Sequence, residues 1–135
     1  MKRLLSTNIY DVDSTIIIVG SCLEKIEPEG FKKLSEISNN IYSLCLEETH
    51  INMAISKIGG MLRTGKIKKI LFATVDKSPH CVQMHYIGYE LKKMMNFKDI
   101  QIENYVISNN ELIKISLDVI SLSKNLCELS KIEKR

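Results

Sequence analysis

Apolar positions along the chain follow two patterns, and the way these alternate predicts the architecture. Unbroken runs rich in β-branched residues lie at Ser14 to Gly20 (Ser-Thr-Ile-Ile-Ile-Val-Gly) and at Lys69 to Val75 (Lys-Ile-Leu-Phe-Ala-Thr-Val). Runs with no polar alternation suit strands covered on both faces, as central parallel strands are. Elsewhere apolar residues recur at three- and four-residue steps, first Phe31, Leu34, Ile37 and Ile41, then Ile51, Ile55, Ile58 and Leu62. Each series is one face of an amphipathic helix. Pro28 suits the first turn of the earlier helix, and Asn39 with Asn40 offers it a C-terminal cap. Thr49 is the expected N-cap of the later one, which ends near Gly65, with Gly59 and Gly60 loosening its last turns.

Shorter signals fill the gaps. Ile41 to Leu46 alternates and reads as a short strand. Ser78 followed by Pro79 is a strong helix start, a cap residue ahead of one whose missing N–H does no harm there. That helix runs to about Asn96, with Met84, Ile87, Leu91 and Met95 toward the core and Cys81 and His85 on the flank nearest solvent. Ile100 to Ile107 reads as a fourth strand. Asn109 and Asn110 tolerate positive φ and turn the chain into a hairpin partner at Leu112 to Ile115. Ser116 then caps a final helix through roughly Lys131. Its stripe Ile115, Val119, Leu122, Leu126 and Leu129 docks on the domain or pairs with a second copy. Residues 2 to 9 add a further strand.

Strands alternating with helices in this order specify a doubly wound α/β fold. The expected architecture is a small three-layer, flavodoxin-like or Rossmann-like domain, mostly parallel, with an antiparallel C-terminal hairpin edge. All 135 residues belong to one domain, a length that buries a core without metal or disulfide staples.

Composition narrows the function classes. The longest apolar run is far shorter than the ~20 residues a membrane span needs. Polar residues Ser6, Thr7, Asn8 and Asp11 interrupt any signal-peptide core behind Lys2 and Arg3. A cytoplasmic setting follows, in which the four cysteines are reduced, and none form a Cys-x-x-Cys pair. Lys plus Arg at 19 against Asp plus Glu at 16 gives a net +3, short of a nucleic-acid footprint. The clusters Lys66, Lys68, Lys69 and Lys92, Lys93 also lack the interleaved aromatics on which single strands stack.

Open parallel sheets bind ligands beyond the carboxyl ends of their strands. The expected strands deliver there Gly20, Ser21 and Cys22, then Glu47, Glu48, Thr49 and His50, then Thr74, Asp76, Lys77, Ser78, His80 and Cys81. With Ser78 as the N-cap, Cys81 falls in the first helical turn, where unpaired N–H groups and the helix dipole favour negative charge. Cys81 is therefore the leading nucleophile or thiolate ligand, with His80 and Asp76 as helpers. Four residues on, His85 diverges from Cys81 by only about 40° around the helix. The pair could grip one metal ion, joined by Cys22, His80 or His50, since zinc or an iron centre takes three or four ligands. Ser21 and Ser78, with Asp76 and Lys77 nearby, could instead hold a small anion at the helix start.

Other chemistries are absent from the sequence. The residues after Cys81 supply no arginine to close a phosphatase loop, and neither a dinucleotide glycine fingerprint nor a Gly-Lys-Ser/Thr P-loop occurs. Two functional readings remain. One is a thiolate and imidazole site on Cys81, with Cys22, His80 and His85, binding a transition metal or iron–sulfur centre or carrying thiol redox chemistry. The other is a non-catalytic regulatory or assembly module, a homodimer through the C-terminal helix or hairpin edge.

Overall fold

The computed structural model describes residues 1–94 and 99–133, with the backbone alone at His80. Six strands form one sheet: β1 (Lys2–Arg3), β2 (Thr15–Gly20), β3 (Ile41–Leu44), β4 (Lys69–Val75), β5 (Gln101–Ser108) and β6 (Glu111–Ile115). Their spatial order is β1-β3-β2-β4-β5-β6, and every pairing is parallel except β5 with β6. Parallel strands need crossovers, and helices supply them: α1 (Leu23–Ile26), α2 (Pro28–Ile37), α3 (Ile51–Arg63) and α4 (Pro79–Met94). Two short helices, α5 (Leu117–Leu122) and α6 (Leu126–Glu133), follow the hairpin.

The unalternating strands divide their side chains between two cores. Ile16, Ile18, Ile70 and Phe72 pack against Ala54, Ile58 and Met61 of α3 and Met84, Ile87 and Leu91 of α4. Ile17, Val19, Leu71 and Ala73 pack against Leu23 and Leu34 on the opposite face. Helices therefore cover both faces, giving the three layers expected of a doubly wound sheet. Burial of each such aliphatic side chain contributes about 1.5–3 kcal/mol, so β2 and β4 anchor the domain.

The hairpin forms as its sequence specifies. Asn109 and Asn110 take φ of 52° and 61°, and Ser108 pairs with Glu111 across the two-residue turn. Asn110 also ties this turn to α2. Its N–H donates to Glu27 Oε2 at 2.9 Å, its Oδ1 accepts from Gly30 N at 3.2 Å, and its carbonyl accepts from Lys33 Nζ at 2.9 Å. A Cβ at Gly30 would come 2.5 Å from Ile107 Cγ2, so only glycine permits this approach.

Several elements differ from expectation. The N-terminal strand is two residues long, because the chain turns into a 3-10 coil at Leu4–Ser6 that buries Leu4. Ser38, not an asparagine, ends α2, and His50, not Thr49, precedes α3. Gly65, at φ 78°, follows the end of α3. The final helix breaks at 123–125. Ser116 caps α5 through a bond from Val119 N, but Ile120 is the buried residue of that helix. Tyr86 Oη donates to Ile120 O at 2.7 Å and so sets the docked face. Val119, Leu122 and Leu126 of the expected docking stripe stay exposed, and α6 buries no side chain. The end of α4 expected near Asn96, and Met95 with it, lies outside the described residues.

Candidate functional site

The sheet reverses its winding between β2 and β4, since the chain moves from β2 outward to β3 and then back across to β4. Ligand crevices of doubly wound sheets open at such a point. Here the carboxyl ends of β2 and β3 and the start of α4 enclose a cleft of about 350 Å³, lined by Gly20, Ser21 and Cys22, by Leu44 to Glu47, and by Ser78, Cys81 and Met84.

Ser78 starts α4, its Oγ accepting from Cys81 N at 3.4 Å, so the expected cap is formed. This turn puts Cys81 on the floor of the cleft, 7% exposed. A Cβ at Gly20 would lie 3.2 Å from Cys81 Sγ, so the glycine leaves room for the thiol. Cys22 stands exposed just past β2 and lines the same cleft as Cys81. Cys45 enters the same cleft because β3 stops at Leu44, one residue before it. Burial, then the adjacent Cys81, push the Cys22 thiol above its ordinary pKa, and Cys45 adds to this against the lowering effect of the Cys22 backbone.

His85 is not part of this cleft. It is 3% exposed, and both ring nitrogens are engaged. Nδ1 lies 2.9 Å from Asn104 Oδ1, which can only accept, so Nδ1 carries the proton. Nε2 is then the acceptor for the Thr74 hydroxyl at 2.8 Å. Burial lowers the His85 pKa and outweighs the opposing effect of the Asn104 bond, keeping the ring neutral. Thr74 and His85 contribute to the wall of a second cavity, about 320 Å³, between the end of β4, the hairpin and α5. Ser78 borders both spaces.

The residues predicted as a site are thus divided. Ser21, Cys22, Ser78 and Cys81 share the switch-point cleft, while Asp76, Lys77 and His85 line the second cavity. The Cys22, Cys81 and His85 metal set is not assembled, because Asn104 and Thr74 hold the imidazole on the other side of Ser78. Among the described residues no group of three or more His, Cys, Asp or Glu is arranged to hold a metal ion. The helical-wheel reading that left Cys81 and His85 nearest solvent is corrected as well, since both are buried. The side chain of His80 lies outside the described residues; its backbone is in the first turn of α4. Exposed His50 precedes α3.

Two participants escaped the sequence reading. Cys45 looked like a strand residue, although its place at the end of an alternating run was a signal. Asn104 is a polar residue inside an otherwise strand-like segment, which also marks an internal partner.

The fold agrees with a comparison against protein families. A family model described as Rossmann-like domain matches residues 12–135. The chain belongs to that family. No curated protein and no solved structure matches it. Among the described residues of this Rossmann-like domain, no helix is long and apolar enough to cross a membrane.

Proposed function

We propose that this Rossmann-like domain carries thiol redox chemistry in its switch-point cleft, with Cys22 and Cys81 as the working pair. The observation that carries the reading is that both cysteines line one cleft, where a doubly wound sheet binds ligands. Cys81 sits on the floor beside the first turn of α4, and exposed Cys22 is the sulfur a reactant in solvent meets first. Oxidation joins Sγ to Sγ and releases two protons and two electrons to a disulfide acceptor, which leaves as two thiols. All four cysteines are free, the form a cytoplasmic thiol pool maintains.

The test is equilibration of the reduced protein in glutathione buffers of defined potential, followed by disulfide mapping. A single two-electron transition giving a Cys22–Cys81 bond, lost in Cys22→Ser and Cys81→Ser and retained in Cys127→Ser, supports the reading. Oxidation confined to mixed disulfides on exposed Cys127 defeats it.

A second reading, a homo-oligomeric module without thiol chemistry, draws on the exposed apolar side chains of the last helices. Leu126 is 73% exposed and Ile132 is 55% exposed. Sedimentation of the full chain tests it, a monomer at all concentrations removing this alternative.

A further inference from the structure

The second cavity is separate from the thiol cleft and has a chemistry of its own. Its volume, about 320 Å³, falls within the range of small-molecule sites, and its walls are mainly aliphatic, with Val82, Val106, Ile113 and Val119 among them. Its charged lining residues are two sequence neighbours of opposite sign, Asp76 and Lys77, both exposed. The imidazole of His85, buried between Thr74 and Asn104, adds no charge, because burial lowers its pKa.

We propose that this cavity binds a large apolar α-amino acid as its zwitterion. The hydrocarbon side chain fills the aliphatic interior, the ammonium faces Asp76 and the carboxylate faces Lys77. Each single-charge alternative meets an opposing group. A fatty acid brings its carboxylate against Asp76, an alkylamine brings its ammonium against Lys77, and a hydrocarbon leaves both rim charges unused. A ligand with adjacent charges of both signs and an apolar body matches both the charged rim and the aliphatic walls.

The test is calorimetric titration and thermal shift of the full chain with L-leucine and L-phenylalanine, beside 4-methylpentanoate and isopentylamine, which are leucine stripped of one charge. Saturable binding of at least one amino acid, with weaker binding of both analogues, supports the proposal. Because the rim is solvent-exposed, Asp76→Asn and Lys77→Gln are each expected to weaken that binding by about two- to five-fold. Ile113, 47% exposed, can carry a larger side chain, and Ile113→Trp should fill the space and abolish binding. Should that variant fail to fold, the two rim variants decide alone. Absence of binding by either amino acid, equal binding of the one-charge analogues, or indifference to both rim substitutions overturns the proposal.

Discussion

Cys81 and His85 lie one turn apart on α4 and are both buried, yet they serve different spaces. Cys81 lines the switch-point cleft with Cys22, whereas His85 is held by Thr74 and Asn104 beside the cavity under the hairpin. Helical spacing brings two side chains to one flank, but their final direction is decided by the partners available across the sheet. For His85 those partners come from β4 and β5.

The imidazole network makes stability depend on Thr74. Thr74→Val keeps the shape and removes the hydroxyl, leaving buried Nε2 without its donor, at a cost of about 1–3 kcal/mol. Thr74→Ser retains the bond and should cost less. Urea unfolding of both variants near neutral pH separates the hydrogen bond from packing.

The same histidine sets an acid limit. Burial holds its folded pKa below the ordinary value, so the unfolded chain takes up the proton first. Its contribution is fully present above about pH 6.5 and is lost as pH falls toward the folded pKa. A plot of unfolding free energy against pH should bend downward there, and His85→Gln should lose this bend while being less stable at pH 8.

Glu103 behaves differently because charges surround it. It lies 2.8 Å from Lys69 Nζ through Oε2, a charge pair not aligned as a hydrogen bond, and 3.2 Å from Lys114 Nζ through Oε1. Burial pushes this carboxyl up, but the two ammonium groups outweigh it and leave it below the usual carboxylate range. Its stabilisation is present above the ordinary carboxylate pKa and lost as pH falls through the lowered one. Glu103→Gln should cost about 1–3 kcal/mol at neutral pH. The difference from the parent should shrink in acid, which thermal melts across that range would show.

Lys77 holds φ at 70°, a conformation that costs a side chain about 1 kcal/mol and costs glycine nothing. Lys77→Gly should therefore leave stability unchanged or raise it by up to about 1 kcal/mol. A clear loss of melting temperature would mean that the lysine side chain contributes packing of comparable size.

Local chemistry made much of this fold legible. The runs at 14–20 and 69–75 read as covered strands, Ser78-Pro79 as a helix start, and Asn109-Asn110 as a hairpin turn, and each forms. The break between α5 and α6 was not legible, because the apolar stripe continues through it. One contact at the break is tertiary, Tyr86 Oη donating to Ile120 O, and one is local, Ser123 O–H closing back on the same carbonyl at 2.6 Å. The thiol cleft was half legible, since Cys22 and Cys81 follow from strand ends and cap position, but Cys45 depends on β3 stopping one residue early. The destination of His85 was hidden because Asn104 is 19 residues away in sequence.

The tie between Asn110 and α2 constrains how the protein emerges during synthesis. Glu27 and Gly30 bond to a residue 83 and 80 positions later, so a nascent chain lacking the hairpin leaves α2 without its clasp and Gly30 facing no Ile107. The first crossover helix is complete only when the last strands have been made. Ribosome-bound chains truncated before residue 110 should accordingly remain protease-sensitive near α2, and the domain should close late, as one unit, rather than in stages from its N-terminus.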